Sequence, residues 1–281
     1  MTGLPVTAIC RTLEMARRTA YHVPKPRPKG FYRRAEDETV LRQIRSVTNS
    51  RASYGTRRTR VMVNEACRTR YGRHRIRRIM RMNGLMLAPR VHRRHGRPHL
   101  GQVQQPVSNQ RWCSDIFLIP CWSGEVVSVA FVIDCHDREV LAHVAAPRSL
   151  KGADIRALME RSLWKRFGEA AMKTPHPVQW LSDNGPQYTA IESVFYAHEL
   201  GFEPITTPAY SPQSNGLAEA FVKTLKRDYV AGSDLRDAES VLLLLTEWIE
   251  DYNTRAPHSA LGMRSPAAYR AVLQPSSLSE Q

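Results

Sequence analysis

Residues 112–146 run WCSDIFLIPCWSGEVVSVAFVIDCHDREVLAHVAA. Within them Trp112 to Ile119 alternates into an apolar stretch, Glu125 to Asp134 is almost continuously apolar, and Glu139 to Ala146 follows the polar turn Cys135-His136-Asp137-Arg138. Three such runs separated by turn residues predict an antiparallel meander. Toward the carboxyl terminus Ala153 to Phe167 has helical spacing, and Val178 to Leu181 reads as a short buried strand. Ile191 to Leu200 then reads as a helix and Phe202 to Thr207 as another strand. Strands in succession, then helix and strand in alternation, indicate a mixed α/β sheet.

On the amino-terminal side of the meander the chain changes character. Residues 1–107 hold 25 Lys/Arg against 5 Asp/Glu (net +20), whereas residues 108–281 hold 16 against 21 (net −5). A surplus of that sign and size selects a polyanionic partner, with DNA the expectation. Leu4 to Tyr21 is helix, short turn and helix in outline, until Pro24, Pro26 and Pro28 break the pattern. Glu36 to Ser50 resumes helical spacing at Val40, Leu41, Ile44 and Val47, Tyr54 to Arg58 opens a second helix, and Arg73 to Met82 makes a third. In that third helix Ile76, Ile79 and Met80 share a face, while Arg73, Arg75, Arg77, Arg78 and Arg81 occupy the rest of the circumference. A solvated charged face is the commoner fate of such a run. With no acids to offset these arginines, contact with DNA phosphates is the expectation, and clustered Arg alone specifies no base sequence.

The predicted organisation is a short helix-turn-helix-like segment and Pro/basic linker at 1–30, followed by a basic helix-turn-helix-like DNA-binding module at 36–95. A linker at 96–107, a catalytic core at 108–273 and a tail at 274–281 complete it. The longest uninterrupted apolar runs, Val129 to Ile133 and Val241 to Leu245, fall far short of the roughly 20 residues that span a bilayer, so no membrane role is expected. Glu14 and scattered arginines in the first twenty residues predict no secretory leader and a cytoplasmic location. Cys10, Cys67, Cys113, Cys121 and Cys135 form no CxxC pair, which argues against a disulfide framework and a zinc ribbon.

Three acids stand where such a sheet presents chemistry. Asp115 lies within the first strand, Asp183 just beyond Val178 to Leu181, and Glu219 in a helix that begins after Ser211-Pro212-Gln213-Ser214-Asn215-Gly216. Ionised carboxylates near an apolar core are unfavourable unless a cation accompanies them. A divalent metal resolves the conflict: Mg²⁺ favours carboxylate oxygens, and a pair of such ions serves phosphodiester chemistry. Lys223 and Lys226, four and seven residues after Glu219, share its helical face, opposite the stripe Leu217, Phe221 and Leu225. That face suits a metal ligand beside a DNA backbone, although an ordinary surface Glu–Lys pair is the better bet for any isolated case.

Other residues have plainer readings. Asp134, Asp137 and Glu139 are expected in turns, with Asp134 or Asp137 pairing with Arg138, and Asp228, Glu250 and Asp251 are expected as solvated helix acids. His92, His95 and His99 lack the cysteine pair of a zinc site. Trp112 and Trp180 are expected in the core, and His258 as a hydrogen-bonded structural residue.

The motifs Asn109-Gln110-Arg111-Trp112-Cys113-Ser114-Asp115, Asp183-Asn184-Gly185 and Ser211 to Glu219 together resemble the catalytic protein of the IS3 family of insertion-sequence transposases, in its IS2-like branch. More broadly they resemble the retroviral-integrase-like DDE superfamily. Between Asp183 and Glu219 lie 35 residues, and Lys226 falls seven after the glutamate, as that family's pattern expects. The stretch Tyr252 to Gly262 with Ser265-Pro266 resembles the family's end, so the likeness covers nearly the whole chain. It implies an RNase H-like core preceded by small all-helical DNA-binding modules. Asp115, Asp183 and Glu219 would hold two Mg²⁺ or Mn²⁺ ions, and Asn184 and Asn215 would shape the loops beside them. It further implies 3′-end cleavage of an element followed by joining to target DNA. Assembly would be a homo-multimer on paired element ends, with an upstream helix-turn-helix protein as a separate chain or frameshift fusion. Two other readings remain open from the residues: an RNase H-like nuclease that stops at hydrolysis, and a non-catalytic DNA-binding regulator.

Overall fold

The computed structural model describes residues 5–23, 32–88, 105–206 and 216–273. Its first elements are two short helices, α1 (Val6–Thr12) and α2 (Arg17–Ala20). A three-helix module follows: α3 (Asp37–Ser50), α4 (Thr56–Ala66) and α5 (Arg73–Met82). Val40, Leu41, Ile44 and Val47 of α3 bury the stripe that their spacing predicts, against Val63 of α4 and Ile76, Ile79 and Met80 of α5. Tyr54, fully buried in the turn between α3 and α4, completes this small core.

The larger body is a five-stranded mixed sheet in the order β3-β2-β1-β4-β5. β1 (Arg111–Pro120), β2 (Val126–Asp134) and β3 (Val140–Ala146) form the expected antiparallel meander. β4 (Val178–Ser182) joins β1 in parallel, and β5 (Phe202–Thr206) joins β4 in parallel. Both faces are covered, which is why β2 is buried along nearly its whole length rather than at alternate residues. One face packs under α6 (Gly152–Phe167), α7 (Pro186–Thr189) and α8 (Ile191–Glu199), around Trp112, Trp180 and Phe202. The other packs under α9 (Gly216–Asp228) and α10 (Ala238–Thr254), around Phe117, Phe131 and Phe221. α11 (Pro266–Leu273) closes the described chain. No helix among the described residues is long and apolar enough to cross a membrane.

Two expectations about acids are corrected by the packing. Asp137 pairs with Arg166 of α6 at 2.9 Å, not with its neighbour Arg138, and Arg166 also approaches Asp134 (3.7 Å) and Glu139 (3.4 Å). Arg138 instead takes a left-handed backbone conformation (φ 64°) that closes the turn. Asp134, expected in a turn, is the last residue of β2, and from that strand end it accepts the backbone N–H groups of Asn109, His136 and Asp137 and the indole N–H of Trp112. Nor are Asp228 and Asp251 solvated. Asp228 accepts from Arg58 of α4 at 2.6 Å and from Ser53, and Arg227 braces the same carboxylate. Asp251 of α10 holds Arg51 and the Tyr229 hydroxyl. These pairs dock the helical module on the α9–α10 side of the sheet, and helical periodicity gives no sign of a partner so far away in sequence.

Candidate active site

β1 and β4 run side by side with Trp112 opposite Trp180 and Cys113 opposite Leu181. Asp115 and Asp183 stand two residues further along, and neighbouring strands lie about 4.8 Å apart, so the register delivers both acids to one edge of the sheet. Asp115 has the parity of Cys113 and Phe117, whose side chains face α9 and α10. Phe131, opposite Asp115 on β2, meets Phe221 of α9 with ring centroids 4.4 Å apart. α9 buries Leu217, Ala218, Phe221 and Leu225, and leaves Glu219, Lys223 and Lys226 on its accessible side. Lys226 extends its ammonium over the Phe117 ring.

The electrostatics tie the three acids together. Burial pushes the Asp115 carboxyl above its ordinary value; the Ile116 backbone N–H, 2.8 Å away, opposes that, and the charges of Asp183 and Glu219 reinforce it. Among the described residues no arginine or lysine forms a salt bridge with Asp115 as Arg166 does with Asp137. Glu219 is drawn to Lys223, 3.0 Å away, the ordinary i, i+4 arrangement. Among the described residues no three Asp, Glu, His or Cys side chains are already gathered tightly enough to hold a metal ion. As a donor set, hard carboxylate oxygens, with the charges of Asp183 and Glu219 adding to the burial that raises Asp115, still fit a hard divalent cation, which relieves that repulsion.

Behind the aspartates stands a residue that sequence reasoning passed over. Tyr188, buried in α7, shares a 2.8 Å hydrogen bond with Ser114, whose hydroxyl also donates to the Phe131 carbonyl. This contact fastens the strand carrying Asp115 to the segment that follows Asp183, and the only sequence signal is its place five residues after that acid. Gly185 lets the loop close: an added Cβ would lie 3.0 Å from Asp183 Oδ1 and 3.1 Å from Gln187 Oε1. The Gly185 N–H donates to Asp183 Oδ1 at 3.0 Å, and Asn184 is exposed beside it.

The arginines of α5 divide into two sets. Arg75 pairs with Glu36 at 3.1 Å and Arg78 with Asp37 at 2.7 Å, so the premise that no acids offset this helix is corrected. Arg73, Arg77 and Arg81 are exposed and make no salt bridge among the described residues. His258 is a structural histidine, edge-on to Tyr252, and burial lowers it to about 4. Asn215 and the candidate zinc residues His92, His95 and His99 lie outside the described residues.

Two models of the integrase core domain match this chain, over residues 105–212 and 200–266. The chain is 50% identical over 177 residues to the insertion element IS136 uncharacterized protein Atu4601 of Agrobacterium fabrum, covering 63% of this chain and 90% of that one. It is 39% identical over 243 residues to transposase InsD for insertion element IS2 of Escherichia coli, covering 84% of this chain and 80% of that one. Among solved structures, a chain of the simian T-cell lymphotropic virus intasome in complex with PP2A regulatory subunit B56 gamma superposes with a TM-score of 0.51 at 14% identity. That match covers 85% of this chain and 76% of the other, and speaks for the fold alone. A mixed sheet of the RNase H-like kind, an integrase core and a transposase relative matched over most of its length lead to one conclusion: the chain belongs to the IS3 family of insertion-sequence transposases, and is a DDE-type polynucleotidyl transferase.

Proposed function

We propose that this transposase cleaves the 3′ ends of its insertion element and joins them to target DNA, with Asp115, Asp183 and Glu219 as the catalytic carboxylates. The observation that carries this reading is the strand register that aligns Asp115 with Asp183, under a helix whose Glu219 is felt electrostatically at Asp115. Two Mg²⁺ or Mn²⁺ ions bound by these acids would supply an activated attacking oxygen and a stabilised leaving oxygen. Water opens the phosphodiester at the element end and leaves a 3′-hydroxyl. That hydroxyl then attacks a target phosphodiester in line, forming one ester bond as another breaks, with its proton passing to solvent. No covalent protein intermediate is needed.

The remaining residues position the polymer. Lys223 and Lys226 lie on the accessible side of α9 beside Glu219, where they meet the DNA backbone. Arg73, Arg77 and Arg81 contact phosphates, whereas Arg75 and Arg78 brace the module through Glu36 and Asp37. Tyr188 and Gly185 hold the aspartate strands, and Asn184 and Asn215 shape the neighbouring loops. The partners are element ends and target DNA in the bacterial cytoplasm, with a homo-multimer assembled on paired ends. An upstream helix-turn-helix protein takes part as a separate chain or frameshift fusion.

A strand-transfer assay tests the reading. Wild type and Glu219→Gln are supplied with labelled DNA carrying the cognate ends, the upstream partner, and either Mg²⁺ or EDTA. Joined product only with wild type and metal is expected, while Glu219→Gln keeps near-normal DNA binding. Nicking without joining would replace the reading with a nuclease, and joining by Glu219→Gln would remove that residue from the site.

A further inference from the structure

The docked module and the catalytic core enclose an open cleft of about 600 Å³ between α4, α5, α9 and the turn after α10. Arg57, Arg73 and Arg77 line it from the module, and Thr224 and Ser259 line it from the core. Of the five arginines in its described walls the chain neutralises two, Arg58 and Arg227, both on Asp228; elsewhere on α5, Arg75 and Arg78 pair with Glu36 and Asp37. Arg57, Arg73 and Arg77 make no salt bridge among the described residues, although they converge on one space. The single acid in the walls among the described residues, Asp228, has a side chain 2% exposed and is already shared by two guanidinium groups. A concave wall of unanswered cations concentrates positive potential and calls for an anion from outside the chain.

We propose that this cleft is a bipartite phosphate-binding site for duplex DNA, with one wall from the basic module and the other from the catalytic core. The hydroxyls of Thr224 and Ser259 would donate to the phosphates that the three arginines neutralise. Resting on the catalytic reading above, the proposal also locates the bound DNA. Arg227 lies eight residues after Glu219 on α9, about 12 Å along a helix rising 1.5 Å per residue, a length equal to three to four base pairs of duplex. The Arg58–Asp228 and Arg51–Asp251 pairs hold the walls in place, so phosphates gripped here stay at a set distance from the acids.

The test measures binding of the full chain to a labelled random-sequence duplex in EDTA, over salt from about 50 to 200 mM. Removing three phosphate contacts with the triple variant Arg57→Ala, Arg73→Ala, Arg77→Ala lowers the slope of log affinity against log salt by about 2.7. Wild type then loses about 40-fold more affinity than the variant across that range. The corresponding triple Lys variant keeps the charge and retains the wild-type slope, which separates the contacts from a folding defect. Ser259→Asp places a carboxylate on the exposed core wall and weakens binding without lowering the melting temperature. An unchanged slope in the Ala variant overturns the proposal; so does wild-type affinity in Ser259→Asp, which would leave binding to the module alone. Because no metal or cleavage enters the measurement, its failure is distinct from failure of the catalytic assignment.

Discussion

Two groups of three carboxylates lie at or against the same sheet, and the chain treats them in opposite ways. Asp134, Asp137 and Glu139 cluster at the β2–β3 turn with their side chains at most 9% exposed, yet two arginines reach them. Arg166 comes from α6, and Arg270 of α11 donates to Glu139 at 2.7 Å. Burial opposes the charge on Asp137, but Arg166 holds its carboxyl below the ordinary value. Asp115, Asp183 and Glu219 are more open, and the only cation paired with them among the described residues is Lys223, which is 75% exposed and reaches Glu219 alone. Where the protein supplies the countercharge the acids are structural. Where none reaches Asp115 among the described residues, the donor set is of the kind that suits a hard cation.

The sharpest way to break this contrast is to remove the internal cation. Arg166→Leu leaves Asp134 and Asp137 buried without their cation, and loss of one member of a buried ion pair destabilises by about 3–5 kcal/mol. Asp115→Asn should behave in the opposite sense. The folded state raises that carboxyl, so above the ordinary carboxylate range its charge opposes folding, and neutralising it does not lower the melting temperature. Urea melts of both variants decide the matter. A loss below about 1 kcal/mol for Arg166→Leu, or a clear loss for Asp115→Asn, would erase the distinction between the groups.

The same contrast marks what was legible in the residues alone. The meander, the bounds of α5 and the placement of Asp115 and Asp183 follow from local periodicity, because alternation and helical spacing are set by neighbours in the chain. The partner of Asp137 is not local. Arg138 is adjacent and was expected, but the left-handed turn directs it elsewhere, and Arg166 arrives from 29 residues away only once α6 packs on the sheet. Asp228 and Asp251 mislead for the same reason: each sits among polar helix residues, and only docking of the module shows that Arg58 and Arg51 cover them. Tyr188 left no signal beyond proximity to Asp183, since its role is a tertiary hydrogen bond to Ser114.

A second, smaller effect is expected from the solution side. If the open group takes Mg²⁺, the metal stabilises wild type by about 2.7 kcal/mol at a hundredfold excess over its Kd. Thermal melts should show this shift in wild type and lose most of it in Asp115→Asn and Glu219→Gln. Equal shifts in all three proteins would place the ion elsewhere. Arg166→Leu, though weaker overall, should keep the metal-dependent increment, because Arg166 serves the other acids.

The smallest effect concerns Lys223, whose two possible roles separate cleanly. As an exposed i, i+4 partner of Glu219 it contributes only about 0.3–0.5 kcal/mol, so Lys223→Ala should scarcely move a metal-free melt. As a phosphate contact it contributes about 0.9 to the salt slope of DNA binding, a change that a helix-surface pair alone does not produce. A fall of that size with unchanged stability makes Lys223 part of the DNA path that continues from the cleft toward Glu219. An unchanged slope would reduce it to an ordinary surface ion pair, leaving Lys226, poised over Phe117, as the cation of α9 that faces the polymer beside the acids.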